Sequence, residues 1–163
     1  MQKFSSKDTS INVVNKIYKS GIIPEEGVIL DYGGGKYDSN KEFMETLGFQ
    51  LYVYDKYNRS EEHNREVMKK MSVNPPDYVV CSNVLNVIME DDVIEGILRD
   101  ISMYETRRTY IAIYEGDRSG KGRETSKGYQ RNEKTSAYLP VVGKYFEILK
   151  CRNGIIECTA RQS

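Results

Sequence analysis

The 163-residue chain carries 24 Lys+Arg against 24 Asp+Glu, so its formal net charge is zero. A global polycation is thereby excluded, and binding to a polyanion would need a local basic patch. The length suits one hydrophobic core and is short for two ordinary domains, so residues 1–163 are read as a single domain.

The cysteines Cys81, Cys151 and Cys158 are an odd set without CxxC spacing. Each lies in an apolar stretch, which predicts buried, reduced thiols in an intracellular protein. The polar start of the chain does not read as a secretory leader, and no run approaches the roughly 18 apolar residues of a membrane helix. A cytoplasmic protein without a membrane segment is the expectation.

Residues 5–20 read as an amphipathic helix, with Ile11, Val14, Ile17 and Tyr18 at helical spacing, Asp8, Thr9 or Ser10 as candidate caps and Gly21 as the stop. Val28-Ile29-Leu30 is then an apolar run that enters Asp31 and the triple glycine Gly33-Gly34-Gly35. A helix is predicted over 39–47. A buried strand giving way to a Gly-rich turn and a helix is the arrangement of a ligand-binding sheet edge. Glycines let the backbone approach a ligand, and the helix start directs unpaired N–H groups to the same place. The second strand, Leu51 to Tyr54, ends in Asp55, 24 positions after Asp31. An acid so placed suits hydrogen bonding to a ribose diol.

Residues 58–73 carry a weak apolar stripe (Val67, Met68, Met71) and predict one helix on a solvated face. His63 is the only histidine and has no ligand cluster around it, so no metal is expected. Asn74-Pro75-Pro76 precedes the strand Tyr78-Val79-Val80-Cys81, which is the wrong side for the Asn-Pro-Pro-aromatic tetrapeptide of amino-methylating enzymes. Ser82, Asn83 and Asn86 follow that strand at its ligand-facing end. A helix runs from the acidic Glu90-Asp91-Asp92 to about Met103, and Arg108 to Glu115 is the fourth strand. Residues 116–136 hold six basic and three acidic residues; so long a loop from a strand end is expected to overhang the site. A short helix around 135–143 is interrupted by Pro140. Two strands flanking Arg152-Asn153-Gly154 form a closing antiparallel hairpin.

This order resembles class I S-adenosylmethionine-dependent methyltransferases over nearly the whole chain. Asp31-x-Gly33-x-Gly35 matches that family's first motif, and Asp55 matches its ribose-binding acid. Asp77 to Leu85 matches its fourth strand, and the terminal hairpin matches its reversed last strand. The implied fold is α/β: a Rossmann-like class I methyltransferase sheet, mostly parallel with an antiparallel C-terminal hairpin. Only 22 positions separate Asp55 from Asp77, so the sheet is expected to be shortened in the middle, where the family's third strand helps to hold the adenine. A closer likeness is to methyltransferases associated with DNA phosphorothioation, in Leu30 to Lys36, Asp38, Tyr54-Asp55, Val84 to Ile88 and, more loosely, Thr125 to Gln130. Gly34 stands where those have a cysteine and Tyr37 where they have a further glycine.

The resemblance implies S-adenosyl-L-methionine as cofactor, held by Asp31, Gly33, Gly34, Gly35, Asp38, Asp55, Lys56, Ser82 and Asn83. Asn83, Asn86 and Tyr114 are the candidate catalytic residues, with Glu115 also within reach of the opening. A covalent route through cysteine is disfavoured, because Cys81 lies within a strand. The acceptor is open, with a nucleic acid or a protein as the expected partner. A nicotinamide-dependent oxidoreductase and a non-catalytic binding subunit are the competing readings.

Overall fold

A computed structural model describes residues 13–126 and 128–161. Among these residues eight strands form: β1 (Val28–Tyr32), β2 (Gln50–Tyr54), β3 (Tyr78–Ser82), β4 (Arg108–Ala112), β5 (Arg123–Thr125), β6 (Gly128–Gln130), β7 (Phe146–Arg152) and β8 (Ile155–Ala160). Six of them make one sheet in the order β2-β1-β3-β4-β8-β7, while β5 and β6 pair only with each other. The first four are parallel. The reversed β8 lies antiparallel between β4 and β7. This is the mostly parallel sheet with a terminal hairpin that the sequence implied. Asn153 and Gly154 take φ of 56° and 75°, the left-handed pair that a two-residue hairpin turn requires.

β1 and β3 are buried on both faces because helices cover both sides of the sheet. On one face α1 (Lys16–Lys19) and α2 (Ser39–Thr46) place Ile17, Tyr18 and Met44 against Ile29, Val53, Val80 and Tyr110. On the other, α3 (Glu61–Val73), α4 (Asp91–Ser102) and α5 (Leu139–Val142) place Val67, Met71, Leu98 and Val142 against Leu30, Val79 and Ile156.

As the short Asp55–Asp77 spacing implied, no strand lies beyond β2 among the described residues, and β2 is an edge. Its outward carbonyls and N–H groups are met by side chains instead. Lys41 Nζ donates to the Leu51 carbonyl at 3.1 Å, and His63 Nε2 to the Val53 carbonyl at 2.7 Å. The Asn64 carboxamide accepts from Asp55 N at 3.1 Å and donates to the Asp55 carbonyl at 2.9 Å. Three polar side chains thus stand in for part of a strand, which blunts the edge against pairing with other chains.

Several expectations are corrected. The helix predicted over 5–20 is helical only at Lys16–Lys19 among the described residues, capped by the Asn15 side chain; Ile11 and the proposed caps Asp8, Thr9 and Ser10 lie outside them. β4 stops at Ala112 rather than Glu115, where Ile113 N turns to the Gly154 carbonyl of the hairpin. Pro140 does not interrupt a helix: it lies in the first turn of α5, where no N–H is needed. Cys81 and Cys158 are buried, but Cys151 is exposed, because β7 is the outer strand of the sheet.

No described helix is long and apolar enough to cross a membrane.

Candidate active site

A cleft of about 1610 Å³ runs along the C-terminal edge of the sheet. It is bounded by the glycine turn, the ends of β2, β3 and β4, helix α1, the β7–β8 turn and one side of α4.

Asp31, the next-to-last residue of β1, lines the cleft and is 2% exposed. Burial pushes its carboxyl up to about 7. The neighbouring Tyr18 hydroxyl and the guanidinium of Arg59 pull it down, while the Asp55 charge raises it further. The glycines after it answer to close packing. A Cβ on Gly33, at φ 85°, would meet Val84 Cγ2 at 2.5 Å. One on Gly34 would meet Asp31 Oδ2 at 2.6 Å and Val53 Cγ1 at 2.9 Å. A cysteine at 34 therefore does not fit beside this carboxylate. Gly33→Ala is expected to destabilise the fold by about 1–3 kcal/mol, from backbone strain and the Val84 contact together; a lowered melting temperature checks it.

Asp55 is 5% exposed, and its carboxylate is fully engaged. Oδ1 accepts from Tyr57 N and Asn58 N, both at 3.0 Å. Oδ2 accepts from Gly35 N at 2.9 Å and from Asn58 Nδ2 at 3.1 Å. These four bonds use the roughly four acceptor positions of a carboxylate. Arg59 completes the stitch: Nε donates to the Gly35 carbonyl at 2.7 Å, and Nη2 to the Tyr37 carbonyl at 2.8 Å. Its Nη2 also lies 2.9 Å from Asp38 Oδ1. The sequence reading missed Arg59, and only its position four residues after Asp55 could have signalled it.

At the end of β3, Ser82 Oγ is buried, has no hydrogen-bond partner among the described residues, and lines the cleft. Asn83 follows at φ 59°, its N–H bonded to the Ala112 carbonyl at 2.8 Å, and its side chain is exposed at the cleft. Tyr114, past the end of the neighbouring β4, also lines the cleft and is 61% exposed. Lys56 lines the cleft as well. Toward α4 the wall turns aromatic: the rings of Tyr32 and Tyr54 stack at 4.9 Å, and the Tyr32 hydroxyl donates to Asp100 Oδ2 at 3.4 Å.

Three sequence-predicted residues are not at the cleft. Asn86 is 1% exposed: its Oδ1 accepts from Tyr114 N at 3.3 Å and its carbonyl from Arg131 N at 2.9 Å, so it tethers loops instead of facing a ligand. The Asp38 carboxylate is drawn to Arg59. Glu115 accepts from the N–H and hydroxyl of Thr135, which hold its carboxyl below the usual range.

The 116–136 segment does not overhang the site either, since none of its described residues lines the cleft. Arg131 fastens it away from the opening, donating to the Ile88 and Met89 carbonyls and pairing with Asp91 at 2.8 Å and Glu133 at 3.0 Å.

No family model matches the chain, and no curated protein matches it in sequence. Solved structures do match in shape. The PH0226 protein of Pyrococcus horikoshii is similar over 90% of this chain and 87% of its own, with a TM-score of 0.58 and 11% identity. A TehB-like SAM-dependent methyltransferase of Corynebacterium glutamicum is similar over 89% and 86%, at 0.53 and 14%. Magnesium protoporphyrin IX methyltransferase (ChlM) of Synechocystis, solved with bound SAM, is similar over 90% and 76%, at 0.52 and 14%. The chain has the class I methyltransferase fold. At such identities the likeness concerns architecture alone. In a class I methyltransferase fold the cleft of this chain lies at the ligand-binding edge of the sheet, outside the carboxyl ends of the parallel strands.

Proposed function

We propose that the chain binds S-adenosyl-L-methionine in this cleft and transfers its methyl group to an acceptor presented at Asn83 and Tyr114. The single observation that carries the reading is the cradle at the end of β1. A buried carboxylate, Asp31, and a buried hydroxyl, Ser82 Oγ, which has no hydrogen-bond partner among the described residues, line the same cleft as the Gly33–Gly35 turn. A zwitterionic amino-acid moiety suits that set: its ammonium group is attracted by Asp31, and the turn lets its backbone-sized atoms come close.

When bound, S-adenosyl-L-methionine supplies a methyl group already activated on a sulfonium. The protein's work is then orientation and a water-poor approach. Asn83, held in the left-handed region, offers a carboxamide to a nucleophilic nitrogen or oxygen. Tyr114, past the end of the neighbouring strand, offers a ring and a hydroxyl, and Asn86 steadies it through the Tyr114 N–H, as a positioning residue. The Tyr32–Tyr54 wall gives a flat face for an adenine on the side where the third family strand is missing.

Calorimetric titration tests the reading, with NAD as the control for an oxidoreductase. Micromolar, saturable binding of S-adenosyl-L-methionine, lost in Asp31→Ala, is the expected result; no binding at about millimolar ligand sinks it. The finer likeness to methyltransferases associated with DNA phosphorothioation is the reason to put a nucleic acid first among acceptors in a turnover screen.

One observation favours a second reading, a non-catalytic cofactor-binding or accessory subunit. All four acceptor positions of Asp55, the expected ribose ligand, are engaged within the chain. Saturable binding without turnover over a broad acceptor panel would select it.

A further inference from the structure

The sequence put its local excess of basic residues in 116–136, but the three arginines of that segment are paired within the fold. Arg118 pairs with Glu115 at 2.9 Å, Arg123 with Asp117 at 2.7 Å, and Arg131 with Asp91 and Glu133. A second group of cations lines the cleft itself. In the terminal hairpin Lys150 is opposite Glu157 and Arg152 opposite Ile155, and opposed residues share a face of a sheet. Ile155 packs on the cluster that holds Ile17 and Tyr18 of α1. Lys150 and Arg152 therefore lie on the sheet face that α1 covers. Lys16 and Lys19 are three positions apart on α1, on one side of it. All four line the cleft. Among the described residues, none of the four enters an ion pair or a side-chain hydrogen bond. Glu157, opposite Lys150, lies 3.9 Å from Arg108 Nε.

From this juxtaposition we infer that the end of the cleft between α1 and the β7–β8 hairpin is a phosphate-binding subsite, and that the methyl acceptor carries phosphate. Two pairs of cations, one on a helix and one on a strand, bound the same opening. One carboxylate group would neutralise only one of them, whereas a phosphate dianion or successive phosphodiesters match the charge. Lysine serves as a point charge and arginine as a bidentate donor to such groups. Calling the ligand an acceptor rests on the methyl-transfer reading; the subsite itself does not.

The test is fluorescence anisotropy of a labelled 12-mer oligothymidylate over a salt series, with thymidine monophosphate and inorganic phosphate as competitors. Each phosphate contact to a single strand contributes about −0.7 to the slope of log affinity against log salt. The wild type is expected near −2 to −3 if most of the four cations engage. Lys150→Gln with Arg152→Gln should reduce the slope by about 1.4 and weaken binding about tenfold or more at low salt. Lys16→Gln with Lys19→Gln should do the same, while Lys121→Gln with Lys134→Gln should change neither. These side chains are exposed, and circular dichroism checks that the variants fold. Oligonucleotide binding with this pattern supports a nucleic-acid source of the phosphate. Binding of the monophosphate or phosphate alone, lost in the same variants, supports a small phosphate ester. Wild-type affinity and slope in the hairpin and α1 variants overturn the subsite, as does failure of the wild type to bind any of the three probes. S-adenosyl-L-methionine is titrated separately. A chain that binds the oligonucleotide as expected but not that cofactor keeps the subsite and loses only the methyl-transfer reading.

Discussion

Asp31→Asn is expected to make the protein more stable and, at the same time, to remove most of its affinity for S-adenosyl-L-methionine. Burial raises the Asp31 carboxyl to about 7, against an ordinary value of 3.8. Between those values the folded state holds a proton that the unfolded chain has released, so folding stability falls as pH rises through that window. Above about pH 7 the native state carries the full penalty of a buried charge; at about pH 4 and below it carries none. The gap between about 7 and 3.8 corresponds to at most about 4 kcal/mol. Asparagine fills the same space, stays neutral, and faces Tyr18 and Asn40, both of which can hydrogen-bond to it. A gain of about 1–3 kcal/mol at pH 8, shrinking to nothing near pH 4, is the expected thermal-melt result. Cofactor affinity moves the opposite way, because a neutral amide does not attract an ammonium group; a loss of about tenfold or more is expected. In the wild type the same logic gives an affinity that declines as pH falls through about 7. A variant with unchanged stability at pH 8 would show that the carboxylate is not under strain. A variant with unchanged affinity would remove Asp31 from the site. Strain held at a functional position and released by its neutral isostere is the general form of the stability–activity trade-off.

Much of this was legible from the chain because the signals were local and repeated. Apolar runs ended in acids or short polar groups, glycines followed the first of them, and an Asn-Gly pair sat between the last two. Those patterns carry strand, turn and hairpin without long-range knowledge. The shortened middle was legible as well, since too few residues separate Asp55 from Asp77 for another strand and helix. What the sequence did not reveal was the fate of individual polar groups. Asn86 and Asn83 are the same residue type three positions apart, yet one tethers two loops from the core and the other faces the cleft. Only the 3₁₀ turn at Leu85–Val87 decides which. The basic loop misled for a similar reason. Its charge is real, but partners distant in sequence, such as Asp91 for Arg131, consume it, whereas Lys150 and Arg152 look unremarkable on their strand until α1 is folded over the same face.

Asp55 gives the second large effect, and here the structure changes the expected result. As a ribose ligand alone, Asp55→Ala would weaken binding and leave the fold intact. As the acceptor of three backbone N–H groups and the Asn58 amide, it organises the turn after β2 and ties that turn to Gly35. Removing it leaves those donors in a buried place without partners, which costs about 1–3 kcal/mol each where water cannot reach. Asp55→Ala is therefore expected to lose about 3–5 kcal/mol in all, or roughly 8–15 °C in melting temperature for a chain of this size. An unchanged melting temperature would sink the clamp. The same geometry makes a sharper demand of Asn58. If a ribose diol is to reach the Asp55 carboxylate, it must take a position now filled, and the Asn58 side-chain amide at 3.1 Å is the one donor of the four that can leave without moving backbone. Asn58→Ala deletes that competitor at the loss of at least that hydrogen bond, about 1 kcal/mol of stability. Its affinity for S-adenosyl-L-methionine should rise, by up to about tenfold if the released amide is the whole barrier. Weaker binding in Asn58→Ala would mean that the amide holds the ligand instead of yielding to it, and Asp55 would then be a structural acid whose family role has passed to its neighbour.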